Sequence, residues 1–150
     1  MDKDHFKEII RFLRFDHITK RLERLMSDKF AMASALWYPF IENSASYYKT
    51  GVNLTVDEQL PPSKARFPFI QYIPCKPDKF RIKFWLLVCT NSIYVLNSFP
   101  YTGADSERPS SQTVYEHLVM NLIQPLMVEG RTVTIDRYFS TVKLCGGLKP

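Results

Sequence analysis

The apolar positions of this chain change their period once, near residue 51. Phe6, Ile9, Ile10 and Leu13 recur at helical spacing, with Asp4 placed to cap the helix and Glu8 near its N-terminal dipole. After Asp28, the residues Phe30, Ala33, Trp37, Phe40 and Ile41 form a second apolar stripe, which Pro39 should kink and Gly51 should close. Residues 1–51 therefore read as an all-helical segment, and its aromatic stripe has to bury against another surface or favour association.

From Val52 the alternation is that of a strand: Val52, Leu54 and Val56 face one way, Asn53, Thr55 and Asp57 the other. Residues 81–89 end in the apolar run of a buried strand, Thr90-Asn91-Ser92 supplies a turn, and residues 93–97 return as the second arm of a hairpin. A polar loop from Thr102 to Ser111 leads to a helix with Thr113 and Glu116 at capping-box spacing and Val114, Leu118 and Leu122 on one face, which Pro125 helps to end. Residues 131–136 form a further β-branched strand, and a last short helix is predicted from Tyr138 toward Cys145, stopped by Gly146-Gly147. The order strand, strand, strand, helix, strand, helix defines an α/β domain over 52–150, and an α/β sheet of this order normally continues past such a helix.

Composition narrows the class. In 150 residues, 45% are hydrophobic and 20 Lys+Arg stand against 15 Asp+Glu, enough apolar material for a core and too little charge for disorder. There is no apolar run of about 18 residues, and the start Met1-Asp2-Lys3-Asp4-His5 lacks a signal-like stretch, so a soluble intracellular protein with no membrane partner is expected. Cys75, Cys89 and Cys145 are far apart, as are His5, His17 and His117, which disfavours a disulfide scaffold, a zinc site and a His-based triad.

Charge is concentrated in one place. Lys64, Arg66, Lys76, Lys79, Arg81 and Lys83 face only Asp78, an excess equal to the +5 of the whole chain, around an insertion at about 61–80. Phe67, Phe69, Tyr72, Phe80, Phe84 and Trp85 are interleaved with them. Such a segment suits a polyanion, because Lys and Arg neutralise phosphates and release counterions. An edge strand protected by charge accounts for the pattern equally well.

Two strands finish alike: Leu54-Thr55-Val56-Asp57 and Val133-Thr134-Ile135-Asp136. Functional groups gather at the carboxyl ends of strands in α/β sheets, and two such ends side by side would bring two carboxylates together. Two-metal phosphoryl transfer needs that arrangement. The commoner role of an Asp after a strand is a turn or a helix cap.

The residues then become familiar as a set. Asn53-Leu54-Thr55-Val56-Asp57-Glu58-Gln59-Leu60, Arg66-Phe67 and Tyr72-Ile73-Pro74-Cys75-Lys76-Pro77-Asp78-Lys79-Phe80-Arg81-Ile82-Lys83 resemble the first catalytic block of piggyBac-type transposases. Arg11-Phe12-Leu13-Arg14-Phe15-Asp16 is similar to the helical segment before that block, and Pro100-Tyr101-Thr102-Gly103 and Thr134 through Thr141 resemble later blocks. The resemblance implies an RNase H-like fold, metal-dependent excision and joining of DNA, and a helical DNA-binding and dimerisation region. It makes Asp57 and Asp136 the first two catalytic carboxylates of an Asp triad, both binding Mg2+ or Mn2+, and it implies a nuclear location.

The third carboxylate and a Cys-rich domain lie in family sequence that this chain does not contain. Asp105, Glu107 and Glu129 are wrongly placed to replace it, and Glu58 points to the opposite face of its strand. Arg81 stands where many relatives have Gly, Ser63-Lys64-Ala65-Arg66 replaces a Phe-basic-Gly-Arg stretch, and Arg137 occupies a position that is often Asn. The sequence reading is thus a transposase fragment with an incomplete RNase H-like mixed sheet, inactive on its own. The alternative is a domesticated or relic DNA-binding and self-association module. Candidate phosphate contacts are Lys64, Arg66, Lys76, Lys79, Arg81, Lys83 and Arg137; a homodimer is a further expectation, a small-molecule substrate is not.

Overall fold

A computed structural model describes residues 1–103, 108–127 and 130–147. Asp105, Glu107 and Glu129 lie outside the described residues, as do Lys149 and Pro150. The chain divides into two compact units, Met1–Pro39 and Phe40–Pro150.

In the first unit, helix α1 spans Lys3–Phe12, a single 3-10 turn at Ile18–Lys20 leads into α2 at Arg21–Leu25, and α3 begins at Ala31. The N-cap of α1 is Asp2, whose carboxylate accepts the Asp4 N–H, so the expected cap lies two residues inside the helix. The spacing of Phe6, Ile9, Ile10 and Leu13 is helical as read, yet each is at least 40% exposed. The Asp16 carboxylate is clasped by Arg21 Nε and Arg24 Nη1, each at 2.7 Å. The Arg21 hydrogen bond, opposed by burial, holds the Asp16 carboxyl below the usual carboxylate range. Phe30 and Ala31 are buried, with the Phe30 ring edge-on to Trp37.

Helix α3 spans Ala31–Tyr47, with Pro39 inside it, and ends before Gly51. Strand β1 (Asn53–Gln59) follows, then a two-stranded ribbon of β2 (Gln71–Tyr72) and β3 (Phe80–Arg81), then the hairpin of β4 (Phe84–Cys89) and β5 (Tyr94–Pro100). Helix α4 (Val114–Ile123), a 3-10 turn at Gln124–Leu126, strand β6 (Thr132–Ile135) and helix α5 (Val142–Gly147) complete the described chain.

The main sheet has the order β5-β4-β1-β6, with β1 antiparallel to β4 and parallel to β6. Strand alternation sends Leu54, Val56, Trp85, Leu87 and Cys89 into one core, closed by Val119, Leu122 and Ile123 of α4, by Phe139 in the turn after β6 and by Leu144 of α5. Asn97 Nδ2 fastens α4 to β5 through the Leu122 carbonyl at 2.9 Å.

Three boundaries differ from the sequence pattern. The run 81–89 is broken, because the Ile82 N–H turns to the Pro61 carbonyl and leaves β3 and β4 as separate strands. The hairpin turn places Ile93 at φ 57°, a left-handed conformation unfavourable for a β-branched residue, and β5 runs on to Pro100. The last helix starts at Val142, four residues later than expected, because Asp136 first closes a turn and Thr141 caps α5 by accepting the Leu144 N–H at 3.1 Å. Gly146 and Gly147 lie within that helix. Among the described residues no helix is long and apolar enough to cross a membrane.

Candidate functional site

Parallel pairing of β1 and β6 sets Asn53 beside Thr132, Leu54 beside Val133, Thr55 beside Thr134 and Val56 beside Ile135. One step further along the same register lie Asp57 and Asp136. Residues opposed in a parallel pair share a face, and neighbouring strands lie about 4.8 Å apart. Leu54 and Val56 are in the core, so Asp57 stands on the opposite face of β1, while Asp136 is the first residue after β6. Both are exposed. The parallel pairing thus brings the two segments that carry these carboxylates together.

Their local bonding is similar. Asp57 Oδ1 accepts the Glu58 N–H at 2.7 Å and Asp136 Oδ1 accepts the Tyr138 N–H at 2.8 Å. The turn-forming role of an Asp after a strand is therefore present at Asp136, where the Phe139 N–H also returns to the Asp136 carbonyl. Asp57 is not the end of its strand: it pairs with Leu86, and β1 continues through Gln59 on the β4 side. Among the described residues, no group of three or more His, Cys, Asp or Glu side chains is gathered closely enough to hold a metal ion.

The segment carrying Asp136 is anchored by two contacts that the sequence did not single out as a pair. Phe139 is buried with its ring 5.2 Å from Trp85 and 5.1 Å from Tyr115. Thr141 donates its hydroxyl to Glu116 Oε1 at 2.6 Å, while Glu116 Oε2 accepts the Thr113 N–H at 2.9 Å and completes the predicted capping box. A buried carboxylate thereby joins the start of α4 to the start of α5. The Thr141 hydrogen bond, then that of Thr113, holds the Glu116 carboxyl below its ordinary range.

A pH dependence follows with a definite sign. A carboxyl lowered in the folded state contributes stability in full above its unfolded pKa, about 4.3 for glutamate, and that contribution is lost as pH falls through the folded value. In urea unfolding from pH 7 to pH 3, Glu116→Gln is expected to lose part of the stability at pH 7 and to show a flatter acid limb than the wild type. Parallel profiles would show that the carboxylate charge is not what Thr141 and Thr113 hold.

The basic candidates separate into two groups. Lys64, Arg66, Lys76, Lys79 and Arg137 are exposed. Arg81 and Lys83 are half-buried and engaged within the unit: Arg81 donates to the Leu60 carbonyl at 2.5 Å and the Asp78 carbonyl at 2.9 Å. Lys83 pairs with Glu58 and rests its ammonium 4.1 Å above the Trp85 ring. Glu58 lies opposite Trp85 in the β1–β4 register, on the core face and away from Asp57, as the strand alternation predicts.

At the far end of β4, buried Cys89 meets the Tyr48 hydroxyl at 3.7 Å, and Tyr48 donates to Ser92 at 2.7 Å. The Ser92 hydroxyl, then the Gly51 N–H, outweigh the cost of burial and pull the Cys89 thiol down to about 6. It lies at the opposite end of the sheet from the carboxylates.

The chain belongs to the transposase family described as Transposase IS4, whose profile matches residues 1–149. Transposases of this type use a divalent metal. Within that class the fold is similar to a piggyBac transposase, solved by cryo-electron microscopy as a synaptic complex with hairpin DNA, at a TM-score of 0.81 and 32% sequence identity. The match covers 98% of this chain and 30% of that transposase, so the chain spans about a third of its relative. The piggyBac-type resemblance and the α/β, partly RNase H-like fold class both hold.

Proposed function

We propose that this chain is a segment of a piggyBac-type DNA transposase that supplies two of the three carboxylates of a two-metal strand-cleavage and joining site, together with a basic surface for DNA. The register that sets Val56 beside Ile135, and hence Asp57 beside Asp136, carries this reading. Two hard oxygen donors side by side on an exposed sheet face fit Mg2+ or Mn2+. Bound there, such ions supply activation of the attacking oxygen and stabilisation of the leaving one.

The protein's own contributions are separable. Backbone N–H groups of Glu58 and Tyr138 fix the Oδ1 atom of each carboxylate, which orients the remaining oxygen of each for a cation. Phe139 and Thr141 hold the turn after Asp136 in place. Lys64, Arg66, Lys76, Lys79 and Arg137 are the cations available to phosphates. Because Mg2+ demands near-octahedral ligation and dehydrates reluctantly, a pair of carboxylates holds it weakly, and the chain alone binds DNA without cutting it. A nuclear location accompanies the DNA substrate.

The test is a Mn2+ titration of the isotope-labelled chain. The amide signals of Asp57, Glu58, Asp136 and Arg137 are expected to broaden first and together. Asp57→Asn and Asp136→Asn should each weaken the effect by about ten-fold, and the double variant should be little worse than either, since the two groups share one ion. Broadening unaffected by either substitution would overturn the shared site and leave a metal-independent DNA-binding module as the function.

A further inference from the structure

The β2–β3 ribbon carries a feature that phosphate neutralisation does not use. Its two residue pairs are Gln71 with Arg81 and Tyr72 with Phe80. Strand alternation puts the two pairs on opposite faces. The Gln71/Arg81 face is tied down: Arg81 reaches the Leu60 carbonyl, Gln71 Nε2 donates to the Phe69 carbonyl at 3.1 Å, and Phe69 is buried. The ribbon backbone is held by Ser63 N–H to the Phe80 carbonyl at 3.0 Å and Ile73 N–H to the Lys79 carbonyl at 2.8 Å.

The other face presents two rings to solvent. Tyr72 is 56% exposed and Phe80 is 55% exposed, with centroids 5.3 Å apart. A cross-strand aromatic pair contributes to holding a short ribbon, but any bulky apolar pair serves that purpose. Lys76 and Lys79, both exposed, lie in the turn joining the two strands, and exposed Lys64 and Arg66 lie in the segment leading to it, with Asp78 the one acidic side chain among them.

We propose that this ribbon is a stacking platform for unpaired bases of DNA, with Tyr72 and Phe80 taking the base faces and the flanking cations taking the backbone. The inference rests on the DNA-binding reading above and narrows its substrate. A duplex hides its base faces within its own stack, whereas an unpaired strand exposes them, and stacking on aromatic side chains is tolerant of sequence because every base has a π-face. Charge complementarity selects the polyanion, and the exposed rings select its single-stranded form.

The experiment compares binding of the chain to a short oligothymidylate and to a duplex of the same length, at one low salt concentration. Tyr72→Leu and Phe80→Leu keep an apolar cross-strand contact and remove a ring; Tyr72→Phe keeps the ring. Each Leu variant is expected to weaken single-strand binding by about 5- to 150-fold, from the typical worth of one base stack, and to leave duplex binding within about two-fold. Tyr72→Phe should match the wild type, and Lys79→Ala should weaken both substrates. In the wild-type chain, the ring proton signals of Tyr72 and Phe80 should move upfield with oligothymidylate and stay in place with duplex, a readout that needs no variant. Leu variants indistinguishable from wild type on single strands, equal losses on both substrates, or unmoved ring signals overturn the platform and leave DNA binding standing. Absence of wild-type binding to either DNA removes the DNA-binding reading itself, and the platform with it.

Discussion

DNA held by this chain is expected to be released about 500-fold more readily when salt rises from 50 to 200 mM. Each neutralised duplex phosphate contributes a slope of about −0.9 to log K against log salt. The exposed cations Lys64, Arg66, Lys76, Lys79 and Arg137 together give about −4.5. Lys79→Ala or Arg66→Ala should each reduce the slope by about one while weakening binding to all duplex sequences alike. Lys83→Ala should leave the slope unchanged, because its ammonium is already paired with Glu58 over the Trp85 ring. Binding measured by anisotropy across a salt series decides the matter, and retention that does not change with salt would remove the electrostatic surface from the account.

Replacing Trp85 by Ala is expected to lower stability by about 3–5 kcal/mol, the usual range for emptying a buried indole site. Trp85 is 3% exposed and edge-on to Tyr115 and Phe139. That loss would be a large part of the typical stability of a domain, about 5–15 kcal/mol. Trp85→Phe should cost far less than Trp85→Ala. Among the described residues the indole Nε1 is buried without a hydrogen-bond partner, so removing it relieves an unsatisfied donor while a ring still fills most of the space. Urea midpoints of the two variants separate these outcomes, and equal losses would mean that the aromatic cluster is not what the site depends on. Because Phe139 follows Asp136 by one turn, Trp85→Ala should also loosen the second carboxylate, visible as weakened Mn2+ broadening at Asp136 ahead of Asp57.

What the sequence makes legible is local. The Thr113/Glu116 capping box forms as its spacing predicts, because both partners lie within one helical turn. The alternation of Leu54 and Val56 finds the core face of β1, and so places Glu58 and Asp57 on opposite sides. The repeated Thr-Val-Asp and Thr-Ile-Asp runs mark two strands, the first of which continues past its Asp, but only a parallel pairing between distant segments makes the strands neighbours, and no local pattern encodes that pairing. Other outcomes depend on partners far along the chain. Arg81 looks like one more cation until the Leu60 carbonyl is brought within its reach. Asp4, the expected cap of α1, falls inside the helix, because the Asp2 carboxylate takes the Asp4 N–H. The apolar stripe of α1 is helical as read, yet periodicity does not say whether a stripe is covered.

The β-sheet assembles from contacts of very different reach. The β4–β5 hairpin closes through a short turn, whereas β6 joins β1 only after the intervening chain has been gathered in, at a larger entropic cost of loop closure. The pairing that brings the Asp57 and Asp136 segments together is thus the one in this sheet that closes the longest stretch of chain. In the proposed site, a divalent ion held by both carboxylates would stabilise that pairing in particular, so added cation would make the β1–β6 edge harder to open.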